Sequence, residues 1–245
     1  MKNIVIAGAT SAISQAVSKE LISDEVCFHL LGRDLEKLNI VANDLMSRGA
    51  AKVICYEIDF SDIGKHTQVV DEVCKVVESI DILFVCYGIM HPQDECEQDV
   101  SKAIEQVNAN YTSAISLLVI FSQVMSKQNS GTIAVVSSVA GDRGRKSNYI
   151  YGSAKAGLST FLEGLRYKFS ESGINVLTVK PGFVDSPMTS EIKKGFLWAS
   201  PELVAKYIVK AMTKSKSVAY VPPFWFFIML IIKMIPAFIF KKLNI

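Results

Sequence analysis

Histidine is scarce, with three in 245 residues, and the five cysteines are scattered. His29, His66 and His91 are dispersed, and Cys27, Cys55, Cys74, Cys86 and Cys96 form no CxxC pair and no zinc-ligand spacing. A metal site is therefore not expected, and the thiols are read as free. Nor does one charge dominate: 26 basic against 24 acidic residues leave +2, which gives no argument for nucleic acid as a partner. No internal repeat, low-complexity tract or linker interrupts the chain. The first apolar strand pattern starts at Asn3, leaving no room for a secretory signal peptide. A reducing, cytoplasmic setting is the expectation.

Half of the residues are hydrophobic and 20% are charged, a globular balance. Short apolar runs at 4–7, 26–31, 53–56, 82–85, 133–136 and 176–179 read as buried strands, with 218–221 as a seventh. Helical patterns fall between them, near 12–22, 35–48, 66–78, 99–109, 111–127, 152–171 and 201–213. Asp34 and Ser200 look like N-caps, the second followed by Pro201 at the favoured first helical position. Such alternation implies parallel strands with right-handed crossovers. The expected fold is α/β, a Rossmann-type doubly wound sheet of about seven strands over residues 1–221, followed by an apolar tail at 222–245.

In a doubly wound sheet the first strand–helix turn receives a dinucleotide, with phosphates against backbone N–H groups at the helix N-terminus. Here that turn is Gly8-Ala9-Thr10-Ser11-Ala12-Ile13-Ser14. Only the first glycine of a GxxxGxG pattern is present; Ala12 and Ser14 occupy the other two places. Both are small, so close approach of a pyrophosphate remains open, but Ala12 would be strained at positive φ. After the second strand, Gly32-Arg33-Asp34 offers no carboxylate for a ribose 2′-hydroxyl at position 32 and a cation at Arg33. That favours NADP(H) over NAD(H); the alternative is a surface arginine. Asp59-Phe60, after the third strand, either meets the adenine edge or belongs to the start of the next helix.

Tyr151 and Lys155 sit four apart in Tyr151-Gly152-Ser153-Ala154-Lys155, with Ser138 ending the apolar run before them. On a helix, i and i+4 share a face. A cation beside a phenol lowers its pKa from about 10 and makes it a proton donor or acceptor near neutrality. Ser138 would hold a carbonyl or alcohol oxygen. A helix carrying a Tyr and a Lys one turn apart by chance is the plain alternative, and the Ser-Ser strand end weakens it.

Gly8-Ala9-Thr10-Ser11-Ala12-Ile13, Asp59, Asn110, Ser138, Tyr151, Lys155 and Pro181-Gly182-Phe183-Val184 together resemble the short-chain dehydrogenase/reductase family, over about residues 1–215. The resemblance implies a nicotinamide cofactor and an Asn110-Ser138-Tyr151-Lys155 tetrad. Tyr151 would be the proton donor in reduction, Ser138 the partner of the substrate oxygen, and Lys155 also a ribose ligand. Asn110 would hold a water in the proton relay, chosen over Asn108 because Ser113 follows three residues later. Pro181, Gly182 and Val184 would lie along the nicotinamide. The resemblance further implies a homodimer or homotetramer formed through the helices carrying Asn110 and Tyr151. One departure stands out: where the family has Asn-Asn-Ala-Gly after the fourth strand, this chain has Val85-Cys86-Tyr87-Gly88, so polar contacts of that cofactor-supporting loop must be replaced.

The tail Pro222-Pro223-Phe224-Trp225-Phe226-Phe227-Ile228-Met229-Leu230-Ile231-Ile232 is almost wholly apolar, then broken by Lys233 and Pro236 before Lys241-Lys242. Residues 224–240 reach the short limit of a spanning helix of about 20 residues, and a central lysine costs roughly 2.5–3.5 kcal/mol on insertion scales. Peripheral contact with a membrane through 224–240 is therefore preferred to spanning. The other reading is a tail that covers the domain, the substrate entrance or a dimer partner. Within the family, Pro181–Thr189, Ser200-Pro201-Glu202, Tyr220-Val221-Pro222, Ile235-Pro236, Val139–Arg145 and Asn148–Ser153 are similar to the reductase subunits of decaprenylphosphoryl-ribose epimerases. That likeness implies a lipid-linked carbonyl substrate, a 2-keto sugar on a polyprenyl phosphate, and a flavin-dependent oxidase partner that supplies it. The expected activity is NADPH-dependent ketone reduction, with loop 186–199 (Met188, Phe196, Leu197, Trp198) closing over the substrate. The alternatives are reduction of hydroxysteroids, fatty-acyl chains or other small apolar carbonyls, and a nucleotide-binding regulator or scaffold without turnover.

Overall fold

Runs of Val, Ile and Leu bounded by turn residues form strands because branched side chains pack well on a pleated surface buried on both faces. A computed structural model describes residues 1–190 and 193–243. Its strands are β1 (Lys2–Ala7), β2 (Val26–Gly32), β3 (Lys52–Glu57), β4 (Ile82–Val85), β5 (Ser130–Val136), β6 (Gly173–Pro181) and β7 (Val218–Val221). They pair in parallel throughout, in the order β3-β2-β1-β4-β5-β6-β7. The fold is the expected Rossmann-type α/β sheet. Between β1 and β4 the strand order reverses, and an α/β sheet opens its ligand crevice at such a point, outside the strands' carboxyl ends.

The helices are α1 (Ala12–Leu21), α2 (Leu35–Ser47), α3 (His66–Cys74), α4 (Gln93–Gln98), α5 (Val100–Val107), α6 (Ser113–Gln128), α7 (Tyr149–Lys168), α8 (Pro201–Thr213), α9 (Phe224–Met234) and α10 (Ala237–Phe240). Asp34 caps α2 and Ser200 caps α8 through their side-chain oxygens, as expected from sequence. Strand alternation divides the core into two layers. Ile4 and Ile6 of β1 join one cluster with Val17, Val204 and Ile208, while Val5 and Ala7 join the other with Leu117, Phe121 and Leu158.

Three elements differ from expectation. Helix α4 was not foreseen, although Pro92 before it and Asp94 and Glu95 in its first turn are ordinary start signals. Helix α3 stops at Cys74 rather than continuing to 78. The expected separate helices 99–109 and 111–127 are joined without a break through a π-turn at Asn108–Thr112. Such a bulge adds a residue to one turn and is frequent at functional sites; here it carries Asn110.

The tail folds back on the domain. At 1.5 Å per residue, α9 is about 16 Å long, and Pro236 separates it from α10. No helix among the described residues is long and apolar enough to cross a membrane. Trp225, Met229 and Ile232 are buried against Val139, with Phe183, Leu197, Tyr220 and Phe240 packed around them. The Arg143 guanidinium donates to the carbonyls of Ile232 and Ile235 and lies over the Phe240 ring, so it caps α9 and clasps α10. One face of the tail thus covers the domain, the reading set second from sequence.

Candidate active site

The turn after β1 brings backbone close to backbone. Gly8 has φ +83°, and a Cβ there would stand 2.5 Å from the Cys86 carbonyl oxygen, so only glycine fits. Ser11 caps α1 by accepting from Ser14 N–H at 3.1 Å. Ala12 is simply the first residue of α1 and has no left-handed φ, so the strain that sequence raised for it does not arise. Thr10, Ser11, Ala12, Ile13, Arg33, Asp59 and Phe60 border one cleft of about 1210 Å³. Ligand sites commonly measure roughly 300–1,000 Å³, so a dinucleotide and a second molecule both find room. Asp59 Oδ1 accepts from the Ser61 N–H and hydroxyl at 2.9 and 2.8 Å, which closes a turn. These bonds, and more weakly Arg33, hold its carboxyl below the usual range.

The altered loop after β4 has its own set of contacts. The Tyr87 ring stacks on Phe60 with centroids 4.1 Å apart, and its hydroxyl donates to Ser113 Oγ at 3.0 Å. Ser113 in turn donates to the Phe60 carbonyl at 2.6 Å. Burial pushes the Tyr87 phenol well up, so it stays a donor. An aromatic stack plus a hydroxyl chain therefore replaces the family's asparagines. Gly88 is required next to it, because a Cβ at that position would overlap the Asn110 side-chain oxygen.

Ser138, Tyr151, Lys155, Gly88 and the π-turn residues Asn108 and Ala109 border the same cleft. Ser138 lies two residues beyond the end of β5, and its hydroxyl caps the short turn Val139–Asp142 by accepting from Ala140 N–H. Tyr151 and Lys155 share a face of α7, the ammonium 5.7 Å from the phenol ring centre. Lys155 is buried and donates to the Val136 carbonyl at 3.2 Å. Burial pulls its pKa down to about 8. Burial also pushes the Tyr151 phenol up to about 12, with the neighbouring Ser138 hydroxyl working the other way. In the protein alone burial thus sets the Tyr151 phenol above its ordinary range, the direction opposite to the one expected of Lys155.

Asn110 is buried, and its Nδ2 donates to the carbonyls of Ile89 at 2.7 Å and Gln106 at 2.8 Å. Its Oδ1 is buried without a partner. Asn108 is exposed and accepts from Thr112, so the two asparagines have separate tasks. A buried acceptor left open beside Gly88 and Lys155 suits an ordered water.

Pro181, Gly182 and Val184, at the end of β6, border the cleft as well. Gly182 lies flat against the Trp225 indole, so this position is shared between the cleft and the tail. Of the loop 186–199, positions 191 and 192 lie outside the described residues. Among its four expected substrate contacts only Met188 borders the cleft. Leu197 packs on the tail cluster, Trp198 stacks on Phe183 at 5.4 Å, and Phe196 is 95% exposed. Leu197 and Trp198 are thus engaged in packing, and neither borders the cleft.

Sequence reasoning missed four residues here. Ser137 bonds the Lys155 carbonyl at 2.9 Å and Ser159 Oγ at 2.8 Å, pinning β5 to α7. Arg143 fastens the tail, and Arg145 and Asn148 border the cleft. Two arginines in the short stretch before the Tyr151 helix were the available signal. Among the described residues no cluster of three metal-ligating side chains occurs.

Residues 2–196 match the short chain dehydrogenase family model. An uncharacterized oxidoreductase of Mycobacterium tuberculosis is 30% identical over 240 residues, covering 98% of this chain and 96% of that one. Among solved structures, an actinorhodin polyketide ketoreductase variant with NADPH superposes with TM-score 0.80 at 19% identity, over 90% of this chain and 95% of that one. A short chain dehydrogenase/reductase from Burkholderia phymatum in complex with NAD gives TM-score 0.83 at 18% identity, over 94% of this chain and 92% of that one. Fold, cleft and these likenesses agree: the chain belongs to the short chain dehydrogenase family of oxidoreductases.

Proposed function

We propose that the protein reduces a ketone to a secondary alcohol with NADPH, and that the ketone is a keto sugar on a polyprenyl phosphate. The observation that carries the catalytic part is the convergence of Ser138, Tyr151 and Lys155 on one cleft, with the unpartnered Asn110 oxygen buried behind Gly88 of its wall. A bound nicotinamide supplies the hydride. Tyr151, protonated because burial raises its pKa, donates to the oxygen that becomes the alcohol. Ser138 holds that oxygen in reach of the phenol. Lys155 offers the positive charge that steadies the resulting phenolate. The Asn110 oxygen accepts from a water that returns the proton, which gives that buried acceptor its missing partner.

NADPH is favoured because Arg33 follows β2 where no carboxylate stands to meet a 2′-hydroxyl. The lipid-linked substrate is supported by the tail. Its outer face keeps Phe226, Phe227, Leu230, Ile231, Met234 and Phe238 exposed beside Lys233, Lys241 and Lys242. So much contiguous apolar surface marks an interaction site, and an enzyme that rests at a membrane meets a substrate anchored there.

The test is NADPH oxidation by the full chain over a panel of ketones that includes lipid-linked keto sugars. Tyr151→Phe is expected to lose about 10²–10⁴-fold in kcat with NADPH still bound. An unchanged kcat in that variant would refute the proton transfer. Tight NADPH binding with no turnover on any ketone would instead favour a nucleotide-binding scaffold.

A further inference from the structure

Arg33, Lys155 and Arg145 border the cleft, and among the described residues none of them is ion-paired with a carboxylate; Arg145 is the one with a buried, unpartnered nitrogen. Arg145 lies six residues before Tyr151, in the loop that enters α7, and is half-buried. Its Nε is wholly buried with no hydrogen-bond partner among the described residues, and its Nη2 donates to Met229 Sδ of α9 at 3.3 Å. The carboxylate that acts on it, Asp142, is taken: it accepts from Lys180 Nζ at 2.5 Å and from the Tyr220 hydroxyl at 2.6 Å. Three residues on, Asn148 borders the same cleft, and its Oδ1 is also buried and unpartnered. A guanidinium partly withdrawn from water without a paired anion is costly, because the charge loses hydration for little in return. Burial accordingly works against its charge, and Asp142 offsets this only in part.

The position separates this cation from the one assigned to the cofactor. Arg33 follows β2, whereas Arg145 follows β5 and touches the tail beside β7. Strands β2 and β5 lie three spacings apart, about 15 Å. Arg145 therefore serves the end of the cleft beyond Tyr151, next to Val139, on which the apolar helix α9 packs.

We propose that Arg145, with Asn148 beside it, is the site that recognises a phosphoester on the substrate, so that the carbonyl compound reduced at Tyr151 is an anion held against the tail helix. A planar guanidinium pairs with two phosphate oxygens at once, and the Asn148 amide can turn its NH₂ toward a third. This assignment rests on the proposed reduction of a lipid-linked sugar phosphate and names the group by which the enzyme grips it. Phosphate on a prenyl chain and phosphate on a free sugar share the chemistry; the exposed apolar face of the tail helix that Arg145 touches favours the prenyl source.

The test needs no turnover. The NADPH-loaded full chain is titrated by calorimetry with farnesyl phosphate, farnesol and a pentose phosphate. Farnesyl phosphate is expected to bind at least about tenfold tighter than farnesol, equal to about 1.4 kcal/mol. Arg145→Met should erase that preference and Arg145→Lys should keep part of it, which separates loss of charge from loss of fold. Equal affinity for phosphate and alcohol in the native chain, or a preference that survives Arg145→Met, would overturn the assignment. So would Arg145→Met weakening NADPH itself, since the guanidinium would then serve the cofactor. Pentose phosphate binding tighter than farnesyl phosphate would keep the anion site and reject the prenyl source. Failure of every ketone to turn over would refute the proposed reaction and leave these affinities as they stand.

Discussion

Gly182 faces the indole of Trp225 so closely that no side-chain atom fits between them. The segment after β6 that borders the cleft and the first turn of the tail helix are therefore one packed unit. Trp225 is only 2% exposed and also meets the Phe183 ring edge-on at 5.6 Å. Gly182→Ala must push the indole aside. Overpacking of this kind costs about 1–3 kcal/mol, and about 1 kcal/mol lowers Tm by roughly 2–4 °C in a chain this long. A thermal melt should show that drop together with a red shift of tryptophan emission. An unchanged Tm and spectrum would mean that α9 is not seated on Gly182 in solution.

The sheet was legible because its signal is local: seven apolar runs separated by helical patterns leave little choice of topology. Tyr151, Lys155 and Ser138 were legible because a helix fixes which residues share a face. What the chain hid was long-range. Nothing around Arg143 reveals that it will cap a helix about ninety residues later, and nothing at Gly182 announces Trp225. Tyr87 read as a loss, since only the fold brings Phe60 and Ser113 to its ring and hydroxyl. The loop residues Leu197 and Trp198 were assigned to substrate because the packing that claims them, the tail cluster for Leu197 and the Phe183 ring for Trp198, could not be foreseen. Desolvation was hidden too: helical spacing puts a lysine beside a tyrosine but does not say how deeply both are buried.

That burial gives a pH-dependent expectation. The Lys155 pKa falls from 10.5 unfolded to about 8 folded, so the unfolded chain binds more protons between those values. Stability from this group therefore rises with pH through that window, and the full penalty, at most roughly 3 kcal/mol, is present below about pH 8. Lys155→Met removes it. The variant should melt several degrees above the native chain at pH 7, and the gap should shrink as pH rises toward 10.5. Catalysis should be lost in the same variant, the usual conflict between stability and a strained site. A gap independent of pH would show that Lys155 is not held as a desolvated cation.

The proposed preference for NADPH can be tested at Arg33. It is exposed and follows β2, where the second ribose of a dinucleotide is met. Arg33→Asp is expected to weaken NADPH by about tenfold to a hundredfold, the range of a charge-assisted contact worth roughly 1.5–3 kcal/mol. The same change should leave NADH equal or tighter, because a carboxylate accepts from a free 2′-hydroxyl. Fluorescence titration with both cofactors checks this. Equal weakening of the two would assign Arg33 to the shared part of the dinucleotide.

The tail presents two faces, and only one belongs to the domain. Deleting residues 224–245 would uncover the cluster around Val139 and confuse membrane binding with unfolding. Phe227 and Ile231 avoid that problem: they are 64% and 65% exposed, four residues apart on α9, on the outer side of the helix. Replacing both with glutamate removes two apolar anchors, each worth about 1.5–3 kcal/mol when fully buried, and adds charge that anionic lipid repels. Vesicles of mixed neutral and anionic phospholipid should carry the native chain into the pellet and leave the Phe227→Glu, Ile231→Glu variant in solution, with its Tm unchanged. High salt should release only part of the native chain, because Lys233, Lys241 and Lys242 supply the screened share of the attraction and the aromatic face the rest. If both proteins pellet alike, or neither does, the exposed face meets something other than a lipid surface.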